Sequence, residues 1–170
     1  MPLHEANVVA DLQASLPARV VVIGFGSPIR GDDAVGPLVA DQLAGELVSP
    51  QVEVISRHIL TAELAAVLQD ATLVVFLDAS TDGPVGQVVC HDLEADASRV
   101  NRMAHSVDAR GLLAWTHGIY GRAPQAVLLS TRAVTLDYAH CQLSPEVAAT
   151  VRPMMDRVTE LVHEHLQRRE

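Results

Sequence analysis

The chain is predicted to fold as a single-domain α/β three-layer sandwich, a mostly parallel twisted sheet with one antiparallel strand and helices on both faces. Three observations predict this. The runs "RVVVIGFG" and "TLVVFLDAS" are unbroken apolar stretches of strand length, rich in valine, as strands buried on both faces require. Segments with helical spacing alternate with strand-like ones, which implies parallel pairing through right-handed crossovers. The 170 residues contain no internal repeat, low-complexity tract or linker, so one domain over 1–170 is expected.

Taken in order, the first strand is expected over about 18–26, at the centre of the sheet. From Val35 the apolar positions Leu38, Val39, Leu43 and Leu47 recur at helical spacing to about Val48. Pro37 falls in the first turn, where its missing N–H has no partner to lose. "QVEVISR" (51–57) alternates as a second strand, and "TAELAAVLQDA" follows as a helix with Thr61 as N-cap. "TLVVFLDAS" is then a buried strand ending at Asp78. After the turn "TDGP", the segment "VGQVVCHDL" arrives too soon for a crossover helix, which predicts an antiparallel edge strand. A helix over about 106–118, a strand in "PQAVLLSTRAV" and a closing helical region from Ser144 complete the pattern. Ser144 and Pro145 give that region its N-cap and first helical position, and Pro153 predicts a break or kink around Arg152.

Composition excludes several classes. The formal net charge is -9, which opposes binding to a polyanion, so no nucleic-acid partner is expected. The longest apolar runs are too short to cross a bilayer, and the N-terminal segment has no basic stretch leading into an apolar one, so no membrane partner and a cytoplasmic location are expected. All twelve basic residues are arginines; without a lysine there is no P-loop lysine, Schiff base or Ser-Lys dyad. Cys90 and Cys141 have no CxxC partner and are read as buried thiols. No serine sits in a GxSxG elbow.

The informative stretch is "VVIGFGSPIRGDDAVG", Val21 to Gly36. It begins as a dinucleotide-binding loop does, with Gly24 and Gly26. Ile29 then stands where the third glycine belongs, and Asp32 and Asp33 would face a diphosphate with like charge. A nucleotide is therefore disfavoured. One aspartate is well explained as a helix cap, and Asp32 is assigned that role. The second, Asp33, is left to point into the crevice where α/β sheets bind ligands, and Asp78 ends its strand on the same rim. Two carboxylates on one rim repel each other, and a cation offsets that repulsion.

In this light the chain resembles the nickel-iron hydrogenase maturation endopeptidases. The resemblance rests on an ordered set: "VVIGFGSPIRGDDAVGP", "TLVVFLDAS", "MAHSVDARGLLAW" and "LSPEVAATVRP", running from about Val21 to Leu166. "RHILTAELA" is further similar to the subgroup serving soluble, NAD-linked hydrogenases. The chain departs from the usual pattern at Ser27, Ala34 and Ile59, where Asn, Gly and the subgroup's Gln are usual.

The resemblance implies an α/β fold and one cut near the C-terminus of a hydrogenase large-subunit precursor, made after nickel loading. It implies Asp33, Asp78 and His105 as metal-binding and catalytic residues, with nickel supplied by the precursor and no organic cofactor. The expected partner is that precursor, acted on by a monomer. Two carboxylates and an imidazole suit a borderline divalent ion. His58 and Thr61 are assigned to substrate recognition. His117 is placed by the helix dipole, while His4, His91, His140, His163 and His165 are read as solvent-exposed. A silent nickel-sensing binder of the precursor and a dinucleotide-binding domain are the rival readings.

Overall fold

In a computed structural model of the chain, residues 17–96, 98, 107–138 and 141–169 are described. Their elements are β1 (Val20–Phe25), a 3₁₀ turn (Gly31–Ala34), α1 (Val35–Glu46), β2 (Val52–Arg57), α2 (Leu64–Leu68), β3 (Leu73–Ser80), β4 (Val88–Leu93), α3 (Ala109–Tyr120), β5 (Gln125–Arg132), α4 (Pro145–Ala148) and α5 (Val151–Gln167). The strands form one sheet in the order β2-β1-β3-β5-β4. Every pairing is parallel except β4 against β5, which is antiparallel at the edge as the short connection requires.

Alternation along each strand explains the continuous apolar runs. Val20 and Val22 of β1 and Val75 and Leu77 of β3 enter a core covered by α1 and α5, with Val39, Leu43, Met154 and Val158. Val21, Ile23, Val74 and Phe76 point to the opposite face, against Leu64, Leu68, Leu112 and Leu113 of α2 and α3. Strands packed on both faces have no polar side to show. Phe25 and Phe76 meet edge to face with ring centres 6.3 Å apart. β3, not β1, occupies the middle of the sheet. The chain leaves β1 for β2 on one side and returns past it to β3 on the other, so a topological switch point lies between β1 and β3.

Four further expectations are corrected. Thr61 does not cap α2: the N-cap position is Glu63 without a side-chain bond, and the Thr61 hydroxyl donates to the Glu63 carboxylate at 2.7 Å. The closing helical region breaks at 149–150, ahead of Arg152. Pro153 sits in the first turn of α5, where no helical acceptor for its nitrogen exists, so it needs no kink. Cys90 and Cys141 are exposed, Cys90 because it lies on the edge strand. His165 is buried, its Nε2 lying 2.9 Å from the Thr72 hydroxyl, which itself donates to the Arg19 carbonyl and receives the Arg19 N–H. Burial, with Arg169 and Arg168 nearby, lowers the pKa of this imidazole. Helical phase separates it from the exposed His163. His91 is exposed as expected, and His117 stands in the last turn of α3. His4 and His140 lie outside the described residues.

The Ser144 and Pro145 signature is realised: the Ser144 hydroxyl accepts the Val147 N–H, and Pro145 opens α4. Among the described residues no helix is long and apolar enough to cross a membrane.

Candidate active site

The switch point is built by close backbone contact. A side chain at Gly24 would strike the Gly36 carbonyl, and one at Gly36 would strike the carbonyls of Leu77 and Phe25. These two glycines let the start of α1 rest directly on β1 and β3. The loop between β1 and α1 then turns with Gly26 at φ +143°, a conformation that disfavours any side chain, and carries Asp32 and Asp33 in its 3₁₀ turn.

The two aspartates separate completely. Asp32 is fully buried and turns away from the cavity. Its carboxylate accepts the N–H groups of Val134 at 2.8 Å, Thr135 at 3.0 Å and Ser144 at 2.6 Å, and the Ser144 hydroxyl at 2.9 Å. Its own N–H donates to the Thr135 carbonyl. Burial pushes its pKa up, but the bonds from Thr135, Ser144 and Val134 outweigh that and leave it lowered. The expectation that Asp32 caps the helix is therefore corrected: α1 has Ala34 at its N-cap and no side-chain cap, and Asp32 instead ties the loop after β5 to the loop after β1. No local pattern announces this role, because its partners lie more than a hundred residues away.

Asp33 is half-buried and faces a cavity of about 390 Å³. One carboxylate oxygen, Oδ2, accepts the Ser27 N–H at 2.8 Å. That amide belongs to the loop where a phosphate would seek donors, so the acid itself occupies the anion position and the dinucleotide reading loses its cradle. Ser27 contributes its backbone here, which makes its departure from the usual Asn compatible with the loop.

Asp78 lines the same cavity. It lies inside β3, not at its end as expected: β3 runs two residues further, and Asp78 stands beside Ser130 of β5 in register. The β1 ladder with β3 stops one residue earlier, at Gly24 and Leu77, so the crevice opens at Asp78. Asp78 Oδ1 accepts the Ala79 N–H at 2.8 Å. Burial drives its pKa up, partly countered by that bond and reinforced by the charge of Asp33, to about 7. Among the described residues neither Asp33 nor Asp78 has a basic side chain paired with it.

His58 and Ile59 line the cavity after β2, whereas Thr61 does not. His105 lies outside the described residues. Among the described residues no three His, Cys, Asp or Glu side chains are grouped to hold a metal ion. The cavity also receives Arg30 and Asp108, both absent from the sequence-based site. Asp108 was masked by an ordinary role, since its side chain caps α3 by accepting the Gly111 N–H at 2.7 Å. Arg30 had a visible signal: it is the cation nearest the two acids within the glycine-bounded loop.

The chain is thus an α/β protein with two carboxylates, Asp33 and Asp78, lining one crevice at the carboxyl ends of two parallel strands, the place where doubly wound folds bind their ligands. No protein-family model matches the chain, and a search of curated proteins finds no match. Solved structures do match. The hydrogenase 2 maturation peptidase from a Thaumarchaeota archaeon is 31% identical, with a TM-score of 0.65 over 85% of this chain and 98% of its own. The [NiFe] hydrogenase maturation protease HycI from Thermococcus kodakarensis is 21% identical, with a TM-score of 0.69 over 91% of this chain and 99% of its own. The hydrogenase maturating endopeptidase HybD from E. coli is 20% identical, with a TM-score of 0.68 over 86% and 93%. At those identities the last two speak for the fold. The first, covered almost end to end at 31% identity, shows more: the chain belongs to the hydrogenase maturation peptidase family.

Proposed function

We propose that the protein is an endopeptidase that removes a short C-terminal peptide from the nickel-loaded large-subunit precursor of a nickel-iron hydrogenase. The observation that carries this reading is the convergence of Asp33 and Asp78 on one cavity with no cationic partner among the described residues. Their mutual repulsion raises the cost of ionising Asp78 and makes a divalent cation the natural complement. In this reading the nickel arrives with the substrate, and no organic cofactor takes part. Asp33, Asp78 and His105 meet it and so fix the scissile bond at the cavity, while His58 recognises the precursor. Holding the bond in one place accounts for a single specific cut.

The finer partner is the precursor of a soluble, NAD-linked hydrogenase, a reading supported by "RHILTAELA", whose His58 lines the cavity, while Ile59 beside it departs from the Gln usual in that subgroup. In this reading the protein acts on that precursor as a cytoplasmic monomer. The test is to mix the purified protein with nickel-loaded and nickel-free precursors and weigh the products intact. Loss of a C-terminal peptide from the loaded precursor alone is expected. Equal cutting of both would remove nickel from the proposal, and a stable complex with no cutting of either would leave a binder.

A further inference from the structure

Arg30 lines the cavity alongside Asp33 and Asp78 but pairs with neither. Its Nε–H donates to the Leu136 carbonyl at 3.1 Å, and its guanidinium carbon lies 5.7 Å from the centre of the Tyr138 ring. These contacts fix the plane of the group against the loop that follows β5. They use one of its five N–H donors, and among the described residues the four on Nη1 and Nη2 have no acceptor. The placement divides the labour of the cavity. A guanidinium seated between Asp33 and Asp78 would neutralise both and close the site to a cation. Held on the neighbouring wall, it leaves the acids free and offers a rigid fork to an oxygen ligand from outside the chain.

An extended peptide presents such oxygens in its main-chain carbonyls. Beside Arg30 the surface is apolar: Ile29, Ile59 and Tyr138 are exposed, which suits the side chains of the same peptide. We propose that Arg30 is the anchoring residue for the precursor, its Nη groups donating to main-chain carbonyl oxygens of the segment to be cut. This rests on reading the site as a peptidase site, and it assigns to that site a group that binds the peptide independently of the metal.

The test compares the wild-type protein with Arg30→Ala and Arg30→Lys, using the nickel-loaded large-subunit precursor from the same organism. Complex formation is followed by biolayer interferometry and cutting by intact mass. For Arg30→Ala, Kd and KM are expected to rise about 10- to 100-fold, with kcat within about 3-fold and melting temperature unchanged. Arg30→Lys restores the charge but not the fork, so it recovers affinity only in part. Unchanged Kd and KM in folded Arg30→Ala would overturn the inference. So would a lower melting temperature and kcat at constant Kd, which mark a purely structural arginine. Should the wild type bind the precursor without cutting it, the peptidase reading fails while the Kd comparison still decides the role of Arg30.

Discussion

Asp32 and Asp33 are neighbours in the chain, yet they belong to two different regions with opposite electrostatic logic. Around Asp32 the chain supplies four donors to one buried carboxylate, so ionisation is favoured and the charge stabilises the fold. Around Asp33 and Asp78 the described residues supply one backbone donor to each acid, and burial, reinforced by the charge of Asp33, disfavours ionisation of Asp78 despite its donor. A satisfied carboxylate holds a structure together; an unsatisfied pair stores a need that a ligand can meet. The difference teaches that a carboxylate's charge state is set by its burial weighed against the donors the fold delivers to it, not by its place in a motif.

The sharpest way to break this comparison is to remove the acids one at a time. Asp33→Ala and Asp78→Ala should each lower processing of the nickel-loaded precursor by roughly 10³-fold or more while the protein stays folded, measured by intact mass and circular dichroism. Asp32→Ala should do the reverse in kind. It leaves three amides and a hydroxyl without their acceptor, at a cost of about 3–5 kcal/mol in urea unfolding, with processing by the folded fraction retained.

The pH dependence should carry opposite signs in the two regions. Asp78 binds its proton up to about pH 7 when folded but only up to its ordinary value of 3.8 when unfolded. Its contribution therefore falls as pH rises from about 4 to 7. Asp78→Asn should raise stability by about 2–4 kcal/mol at pH 8 and by nothing near pH 4, read from paired urea titrations. Asp32 has a lowered pKa, so its stabilisation is full above the unfolded value and is lost as acid brings the pH down through the folded one. A variant lacking Asp32 should lose that acid limb; an unchanged acid limb would sink the assignment. The smallest effect is expected at Ser27, whose contact to Asp33 is made by its backbone: Ser27→Ala should alter processing by less than about 2-fold.

Much of the architecture was legible because its causes are local. Valine-rich runs buried on both faces, helical spacing from Val35, and Ser144 with Pro145 at a helix start each follow from short-range sterics and hydrogen bonding. The antiparallel edge strand followed from the shortness of its connection. The burial of His165 has no local sign, because its partner Thr72 lies 93 positions away. Asp108 is illegible for a similar reason, since it enters the cavity from a distant helix start and carries an ordinary cap role, whereas Arg30 lies in the same loop as Asp33 and only its lack of an ion pair with the acids needed the fold.

By itself, then, the chain determined its alternation of strands and helices, the placing of Asp33 in the loop after the first strand, and the resemblance that named its family. Only the tertiary structure decided that Asp32 is a clamp, that Asp33 and Asp78 share a cavity, and that Arg30 stands beside them held by Leu136 and Tyr138, with no ion pair among the described residues. The physical reason is one of range. Backbone conformation answers to neighbours a few residues away, while the charge state and partners of a side chain answer to whatever the folded chain brings within a few ångströms.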